Sequence, residues 1–168
     1  MTGQELETLL LRELTRTGNL AIARFTRYWF FETDVLSISK SMITTEYEIK
    51  VSRADFLKDA GKVDKHRFLS GENRVRKGVP QKFYYAVPAG LIGLDEIPEY
   101  AGLIYVTEAG RIETIRGAPW IHREKPGQDL VWAVATLACQ RAAYGGVTAF
   151  THRNRKITER ERLEDQNS

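Results

Sequence analysis

The sequence predicts an α/β domain with a mixed central sheet, and three observations carry this prediction. Segments rich in β-branched and aromatic residues recur along the chain, with polar or glycine-containing turns between them. Helical patterns stand before, between and after these segments. A strand, a helix and an uninterrupted apolar strand follow one another in mid-chain, the order of a crossover between parallel strands. With 168 residues, 42% of them hydrophobic, one domain with a core is expected, not two.

The first elements are a helix and a strand. Thr2 and Glu5 form the pattern of a capping box, in which the hydroxyl and the carboxylate satisfy amides at the start of a helix. The helix is expected to run to about Thr17, because Gly18 is a suitable C-terminal stop. Residues 20–32 carry strand-forming side chains throughout and are predicted to run antiparallel to the next strand.

One acid falls within the apolar stripe of this first helix. At 100° per residue, Glu13 points between the directions of Leu9 and Leu6. A carboxylate on a core-facing stripe is costly unless it is paired or bound to a metal. Two interpretations therefore stay open: Glu13 contributes to a metal site, or it lies partly exposed and pairs with Arg16 or another cation.

The strand predicted at residues 44–51 has two chemically different faces. Side chains alternate between the faces of a strand, which places Glu46, Glu48 and Lys50 on one side. The residues on the other side are Tyr47, Ile49 and Val51. We therefore expect a buried strand with a charged surface on one side.

Asp34 stands near the start of the preceding strand, residues 33–39, and is expected to reach the same side. Two carboxylates held close together suit Mg²⁺, which prefers carboxylate ligands and keeps several waters. A lysine beside them can orient or help to deprotonate one of these waters and can offset phosphate charge. Asp34, Glu48 and Lys50 together therefore favour phosphodiester hydrolysis.

The next helix supplies context for these residues, because an acid two positions before a lysine also arises by chance. Ser52 and Asp55 match a second capping box directly after Lys50. The helix is expected to continue to about Leu69, with Gly71 closing it. The positive end of its dipole would then lie near the acids, where a phosphate is favoured.

In these features the chain resembles the PD-(D/E)XK nuclease superfamily, with Asp34 as the first acid and Glu48-Ile49-Lys50 as the second motif. The resemblance is closer to MmcB-type DNA repair nucleases and their phage-borne relatives. It covers roughly residues 30–107 and rests on the segments ETDVLSI, EIKVSRADFLKD, FYYAVPAG and IPEYAGLIYV, in the same order. Thr33 departs from the motif, since it stands where the name has proline, a position that varies in the superfamily.

The resemblance implies a restriction-endonuclease-like core of order αβββαβ, with an added edge strand and a C-terminal helix. It implies cleavage of DNA with Mg²⁺ or Mn²⁺, in DNA repair, recombination or phage DNA processing. Asp34, Glu48 and the backbone carbonyl of Ile49 would bind the metal, and Lys50 would position or activate the attacking water. In this superfamily the first helix sometimes adds a glutamate to the metal site, and Glu13 would be that residue.

The segment from Lys58 to Lys82 is basic, with eight lysines and arginines against three acids, a net charge of +5 in a chain of net charge +3. Basic residues next to the proposed site suit contact with DNA phosphates. The alternative is a solvated helix face followed by a polar loop. The candidate DNA-contacting residues are Lys58, Lys62, Lys65, His66, Arg74, Arg76 and Lys77, of which Lys65 and His66 are expected to come closest to the acids.

The rest of the chain predicts strands at 82–87, 101–107 and 111–117 and a helix at 129–144. The apolar strand at 82–87 is expected to be the parallel neighbour of the acid-bearing strand, and the strand at 111–117 is expected at an exposed edge. The domain would span residues 1–150. A highly charged tail would follow at 151–168, for which disorder is the default expectation.

Composition restricts the setting. No apolar run approaches the ~20 residues that a membrane span needs, and the acidic N-terminus differs from a secretory signal. The single Cys139 excludes an intramolecular disulfide and fits a reducing compartment, the cytoplasm of a bacterial or phage-infected cell. The alternatives to an active nuclease are a catalytically silent module of the same fold that binds nucleic acid or a protein, and a nuclease that needs a homo-oligomer or a protein partner.

Overall fold

The structure, a computed structural model, describes residues 1–26, 32–59, 61, 63–70 and 79–144. Its helices are α1 (Gly3–Arg16), α2 (Arg53–Asp59), α3 (Val63–Leu69) and α4 (Gln128–Tyr144). Its strands are β1 (Leu20–Thr26), β2 (Glu32–Ile38), β3 (Thr44–Ile49), β4 (Lys82–Pro88), β5 (Ala101–Val106) and β6 (Ile112–Arg116). This part of the chain is thus a mixed α/β structure, as the sequence predicts.

The six strands form one sheet in chain order, from β1 at one edge to β6 at the other. The β3–β4 and β4–β5 pairs are parallel, and the other three pairs are antiparallel. The predicted parallel pairing of the acid-bearing strand with the apolar strand is therefore confirmed. The edge position of β6 is confirmed as well.

Helices cover both faces of the sheet. On one face, Leu6 and Leu10 of α1 pack against apolar residues of the strands, including Val35 and Ile49. On the opposite face, α2 and α3 pack over β4 and β5 through Phe56 and Leu69. The same face is covered at β1 and β2 by α4, whose inward residues include Val134, Leu130 and Leu137. Burial of these apolar side chains is the main source of the stability of the fold.

Both ends of α1 follow the sequence prediction. The Thr2 amide donates to Oε2 of Glu5 at 2.6 Å, and the Glu5 amide donates to Oγ1 of Thr2 at 3.2 Å, which completes the capping box. After the helix, Gly18 adopts φ +83°, a conformation in which glycine avoids the strain of a side chain. The capping pattern and the glycine therefore predict the start and the end of this helix correctly.

The helix predicted at 52–69 is two helices, and the prediction of one continuous helix is wrong. The Ser52 hydroxyl accepts from the Asp55 amide at 3.2 Å at the start of α2. Between α2 and α3, the Gly61 amide donates to the Lys58 carbonyl at 3.1 Å. A glycine inside a helix costs about 1 kcal/mol relative to alanine, which makes this position a weak point.

The charged face of β3 is buried, whereas the sequence predicted a charged surface. Glu46, Glu48 and Lys50 are each at most 5% exposed. The physical reason is that α2 and α3 lie over this face and bring their own charged side chains to it. Alternation along the strand was correct, but it does not show what covers a face.

The C-terminal part of the described chain ends with α4. Cys139 lies on the exposed side of this helix. None of the helices in the described ranges is long and apolar enough to cross a membrane. The candidates Lys62, Arg74, Arg76 and Lys77 lie outside the described residues, as does the tail at 151–168.

Candidate functional site

The register of β2 and β3 places two acids opposite each other. Val35 pairs with Tyr47 and Leu36 pairs with Glu46, so continuing the antiparallel register sets Asp34 opposite Glu48 on the same face. Oδ2 of Asp34 accepts from the Ile49 amide at 2.7 Å. This hydrogen bond fixes the aspartate against the end of β3.

Two lysines hold the carboxylate of Glu48. Lys50 follows Glu48 by two residues in the sequence, and its Nζ lies 2.8 Å from Oε1 of Glu48. Lys65 of α3 places Nζ 2.5 Å from Oε2. Charge-assisted bonds to both oxygens restrict Glu48 to one orientation.

The same two lysines bind two further acids. Nζ of Lys65 is 2.9 Å from Oε1 of Glu46, and Nζ of Lys50 is 3.3 Å from Oδ1 of Asp59. Together with Asp34, these acids and lysines form a charged cluster of six side chains: Asp34, Glu46, Glu48, Lys50, Asp59 and Lys65. Elements β2, β3, α2 and α3 all contribute to it, so the cluster joins the helices to the sheet.

The break between α2 and α3 brings Asp59 and Lys65 to the same cluster. In one continuous helix, six residues correspond to 600°, and the two side chains would point in different directions. His66 of α3 contacts the end of α2, because its Nε2 lies 2.7 Å from the Asp59 carbonyl oxygen. Its Nδ1 makes a hydrogen bond with the Tyr100 hydroxyl. The Tyr85 hydroxyl donates to Oδ2 of Asp59 at 2.8 Å.

Burial and neighbouring charges shift the pKa values of the cluster in opposite directions. Burial raises the pKa of Asp34 to about 6, with the charge of Glu48 adding to the effect, against the Ile49 amide and the two lysines. For Glu48, burial acts upward, but the ammonium of Lys65 and the other lysine outweigh it and lower the pKa. Burial disfavours the charge of Lys65, yet the two glutamates that it binds raise its pKa.

The structure brings together the three residues predicted to be catalytic, Asp34, Glu48 and Lys50. The main chain of Ile49 is at the cluster through its amide. Whether its carbonyl binds a metal stays a prediction. Glu13 is not part of this group, because α1 packs on the other face of the sheet. Its carboxylate accepts two hydrogen bonds from the Arg16 guanidinium, at 2.8 and 2.6 Å. The second interpretation of Glu13, a partly exposed residue paired with Arg16, is therefore confirmed.

The candidate DNA-contacting residues in the described part of the chain are in different environments. Lys58 is exposed on α2, as a phosphate contact requires. Lys65 approaches the acids, as expected. It is only 3% exposed and binds two glutamates, so it does not present its charge at the surface for a contact with DNA. His66 is half-buried between the Asp59 carbonyl and Tyr100.

Sequence reasoning missed Asp59 and Tyr85, and it left Glu46 outside the site. Asp59 is the last residue of the segment EIKVSRADFLKD, so the resemblance contained it without a role. Tyr85 lies in an apolar strand, where a buried hydroxyl needs a hydrogen-bond partner. That requirement could have indicated that Tyr85 contacts a polar group of the site. Glu46 shares a face with Glu48 by simple alternation.

The arrangement can hold a cation at Asp34 and Glu48. An ionised carboxylate has about four lone-pair sites, so an oxygen that accepts from a lysine keeps capacity for another ligand. Burial and then the charge of Glu48 raise the pKa of Asp34, and a cation bound to both acids would replace the proton of Asp34. Among the side chains that the structure describes, no three acids, histidines or cysteines already converge as a metal-binding group.

Comparison with known proteins supports the fold alone. No protein-family model and no curated protein matches the chain. A solved structure of a protein of unknown function from Silicibacter pomeroyi is similar, with a TM-score of 0.66 and 22% sequence identity. The match covers 89% of this chain and 97% of that one. The mixed α/β architecture therefore occurs in another protein over almost its whole length.

Proposed function

We propose that this protein is a Mg²⁺-dependent nuclease that hydrolyses DNA phosphodiester bonds in DNA repair, recombination or phage DNA processing. The observation that carries the proposal is the meeting of Asp34 and Glu48 on one face of the sheet, with the Lys50 ammonium 2.8 Å from Glu48. Two acids and a lysine are the groups that metal-assisted attack of water on a phosphate needs.

The electrostatics of the two acids support a metal at this place. Asp34 has a raised pKa because it is buried and lies near the charge of Glu48. A divalent cation bound to both would favour the ionised form of each. Asp34, Glu48 and the Ile49 carbonyl would hold Mg²⁺ or Mn²⁺, which would lower the pKa of a bound water and offset phosphate charge.

The residues of the chain have defined roles in this proposal. The Ile49 amide fixes Asp34, and the two lysines fix Glu48, so the acids are preorganised. Lys50 carries positive charge next to both acids, where it orients the attacking water and stabilises charge that develops on the phosphate. Lys65 holds Glu48 in place from the helix side.

Incubation of the pure protein with plasmid DNA and single-stranded DNA tests the proposal. We expect cleavage with Mg²⁺ or Mn²⁺ and none with EDTA. Asp34→Asn and Lys50→Ala should abolish cleavage, because one removes a ligand charge and the other the ammonium. Glu113→Gln, at an exposed residue of β6, is the control and should cleave as the parent does.

Two results would contradict the proposal. Cleavage that persists unchanged in folded Asp34→Asn and Lys50→Ala would come from another site or a contaminant. Absence of cleavage under every metal condition, at every protein concentration and in the presence of cell extract would exclude both an active nuclease and one that depends on oligomerisation or a partner.

The second candidate is a catalytically silent module that binds nucleic acid or a protein. Lysines occupy both oxygens of Glu48, and a network of this kind also serves as a buried structural element. Titration calorimetry with Mg²⁺ separates the two candidates. Saturable binding that is lost in Asp34→Asn favours the nuclease, and the absence of Mg²⁺ binding together with retained binding of DNA favours the silent module.

A further inference from the structure

A second concave site lies on the other face of the sheet, the face that α1 covers. A cavity of about 290 Å³ opens there, beneath the C-terminal half of the helix. Its size is near the lower end of ligand pockets, roughly 300 Å³, so it suits a small ring compound. The charged cluster is on the opposite face, which makes this cavity independent of the proposed nuclease site.

The floor of the cavity follows from the strand register. Ser37, Thr45 and Lys82 pair across β2, β3 and β4 and form one polar row. The next row consists of Tyr47 and Tyr84, which pair with each other. All five side chains line the cavity. A floor of hydroxyls, an ammonium and aromatic rings offers hydrogen bonds beside a flat apolar wall.

The tyrosine wall is ordered by its neighbours. The two rings are stacked, with centroids 5.6 Å apart and an angle of 17° between planes. Tyr84 lies over Gly102, since a Cβ atom there would be only 2.4 Å from its ring. Burial raises the pKa of Tyr47 to about 12, and its hydroxyl interacts with the side chains of Ser37 and Thr45. A preordered aromatic wall is suited to contact with another flat ring.

The charged side chains that line the cavity are Lys82 and Glu13, and the carboxylate of Glu13 is paired with Arg16. Lys82 lines the cavity and also places Nζ 4.9 Å from the centre of the Trp120 ring. The guanidinium of Arg123 lies 4.7 Å from the centre of the same ring. Trp120 thus contacts two cations, of which the Lys82 ammonium lines the cavity and can meet an anion there.

We infer that this cavity binds a nucleotide, with the base against the tyrosine wall and the phosphate at Lys82. A base supplies the flat ring and the edge donors and acceptors that Ser37 and Thr45 match. A phosphate supplies the anion that Lys82 attracts. The same chemistry is present in a free nucleotide and in the terminal nucleotide of a strand.

NMR titration of the amide signals tests the inference, with thymidine monophosphate as the probe and EDTA present. We expect saturable shifts at Ser37, Thr45 and Tyr84, and none at Asp34 or Lys50. Thymidine should bind at the same residues but more weakly. A short oligothymidylate that binds more tightly than the mononucleotide assigns the cavity to the end of a strand, and equal or weaker binding assigns it to a free nucleotide.

Three variants sharpen the test. Lys82→Met should weaken binding of the monophosphate about tenfold, because the charge-assisted bond to the phosphate is lost, and should leave binding of thymidine unchanged. Thr114→Trp fills the cavity from β6 and should abolish binding of both. Glu113→Trp, on the other face of the same strand, is the matched control and should bind as the parent does.

The inference fails if the shifts do not saturate, if they appear at the charged cluster instead, or if glucose 6-phosphate binds as tightly as thymidine monophosphate. Equal loss of binding in Thr114→Trp and Glu113→Trp would also overturn it. None of these readouts depends on cleavage of DNA, so a failed nuclease assay leaves the test intact.

Discussion

The ammonium of Lys65 is bonded to Glu48, with Nζ 2.5 Å from Oε2, and this contact ties α3 to β3. The same ammonium contacts Glu46 at 2.9 Å. Removing one member of a buried ion pair costs about 3–5 kcal/mol, because the remaining charge loses its compensation in a low-dielectric site. We therefore expect Lys65→Met to lower the free energy of unfolding by about that amount in urea denaturation.

The control for this prediction is Lys58→Met on the exposed side of α2, which should change the free energy of unfolding by less than about 0.5 kcal/mol. A loss of under 1 kcal/mol in Lys65→Met, about the value for a surface pair, would show that the contact does not hold α3 in place.

Asp34 gives the stability a defined dependence on pH. Its pKa is about 6 in the folded protein, above its ordinary value, so the folded state holds this proton more tightly than the unfolded state. Stability contributed by the protonated form is complete below about pH 4 and is lost as the pH rises to about 6. We expect Asp34→Asn to abolish this loss, which is on the order of 3 kcal/mol for a pKa raised from 3.8 to about 6.

The measurement is the difference in the free energy of unfolding between the two proteins from pH 4 to pH 7. The difference between the two proteins is needed because Glu48 has a lowered pKa, so that its contribution to the free energy of unfolding changes with pH in the opposite direction in both proteins. With metal present, binding of Mg²⁺ should strengthen as the pH rises through about 6, because the ligand must lose its proton. A difference that does not vary with pH would contradict the burial of Asp34.

Much of the charged cluster follows from local sequence, and the rest does not. Alternation places Glu48 and Lys50 on one face, and the short connection to β2 brings Asp34 beside them. The alternation of side chains along a strand and a single turn are therefore enough to predict these three residues together. Asp59 and Lys65 enter only because the chain breaks between α2 and α3. That break depends on packing against the sheet, which local propensity does not determine.

Glu13 illustrates the second limit of sequence reasoning. Periodicity shows which side of α1 faces the core, and this side was predicted correctly through Leu6 and Leu10. It does not show which face of the sheet the helix covers. The helix lies on the face opposite Glu48, a consequence of chain connectivity in three dimensions.

The hydroxyl of Tyr85 is expected to contribute more to stability than an ordinary buried hydroxyl. It donates to the carboxylate of Asp59 at 2.8 Å, and Asp59 is 1% exposed. Bonds to charged groups contribute about 1.5–3 kcal/mol, against about 0.5–1.5 for neutral acceptors. Tyr85→Phe should therefore lose more stability in urea denaturation than Tyr105→Phe, whose hydroxyl donates to the Ile92 carbonyl. Equal losses would mean that the carboxylate does not strengthen the bond.

Gly102 is expected to be intolerant of any side chain. A Cβ atom at this position would lie 2.4 Å from the Tyr84 ring and 2.7 Å from the Ala118 backbone nitrogen, both far inside van der Waals contact. Relief requires either the ring to leave its stack on Tyr47 or the backbone of the following segment to move. Overpacking of this kind costs about 1–3 kcal/mol, so Gly102→Ala should lower the melting temperature by several degrees.

Gly117→Ala is the matched control for this prediction, because a Cβ atom there would meet nothing within 4 Å. It should leave stability unchanged or raise it by a few tenths of a kcal/mol, since alanine restricts the unfolded chain more than glycine does. Tyrosine fluorescence adds a second readout, as displacement of Tyr84 changes its stacking on Tyr47. If the two alanine variants have the same melting temperature, the Tyr84 ring does not approach β5 closely in solution, and the arrangement of the two tyrosine rings in the cavity is not the one described.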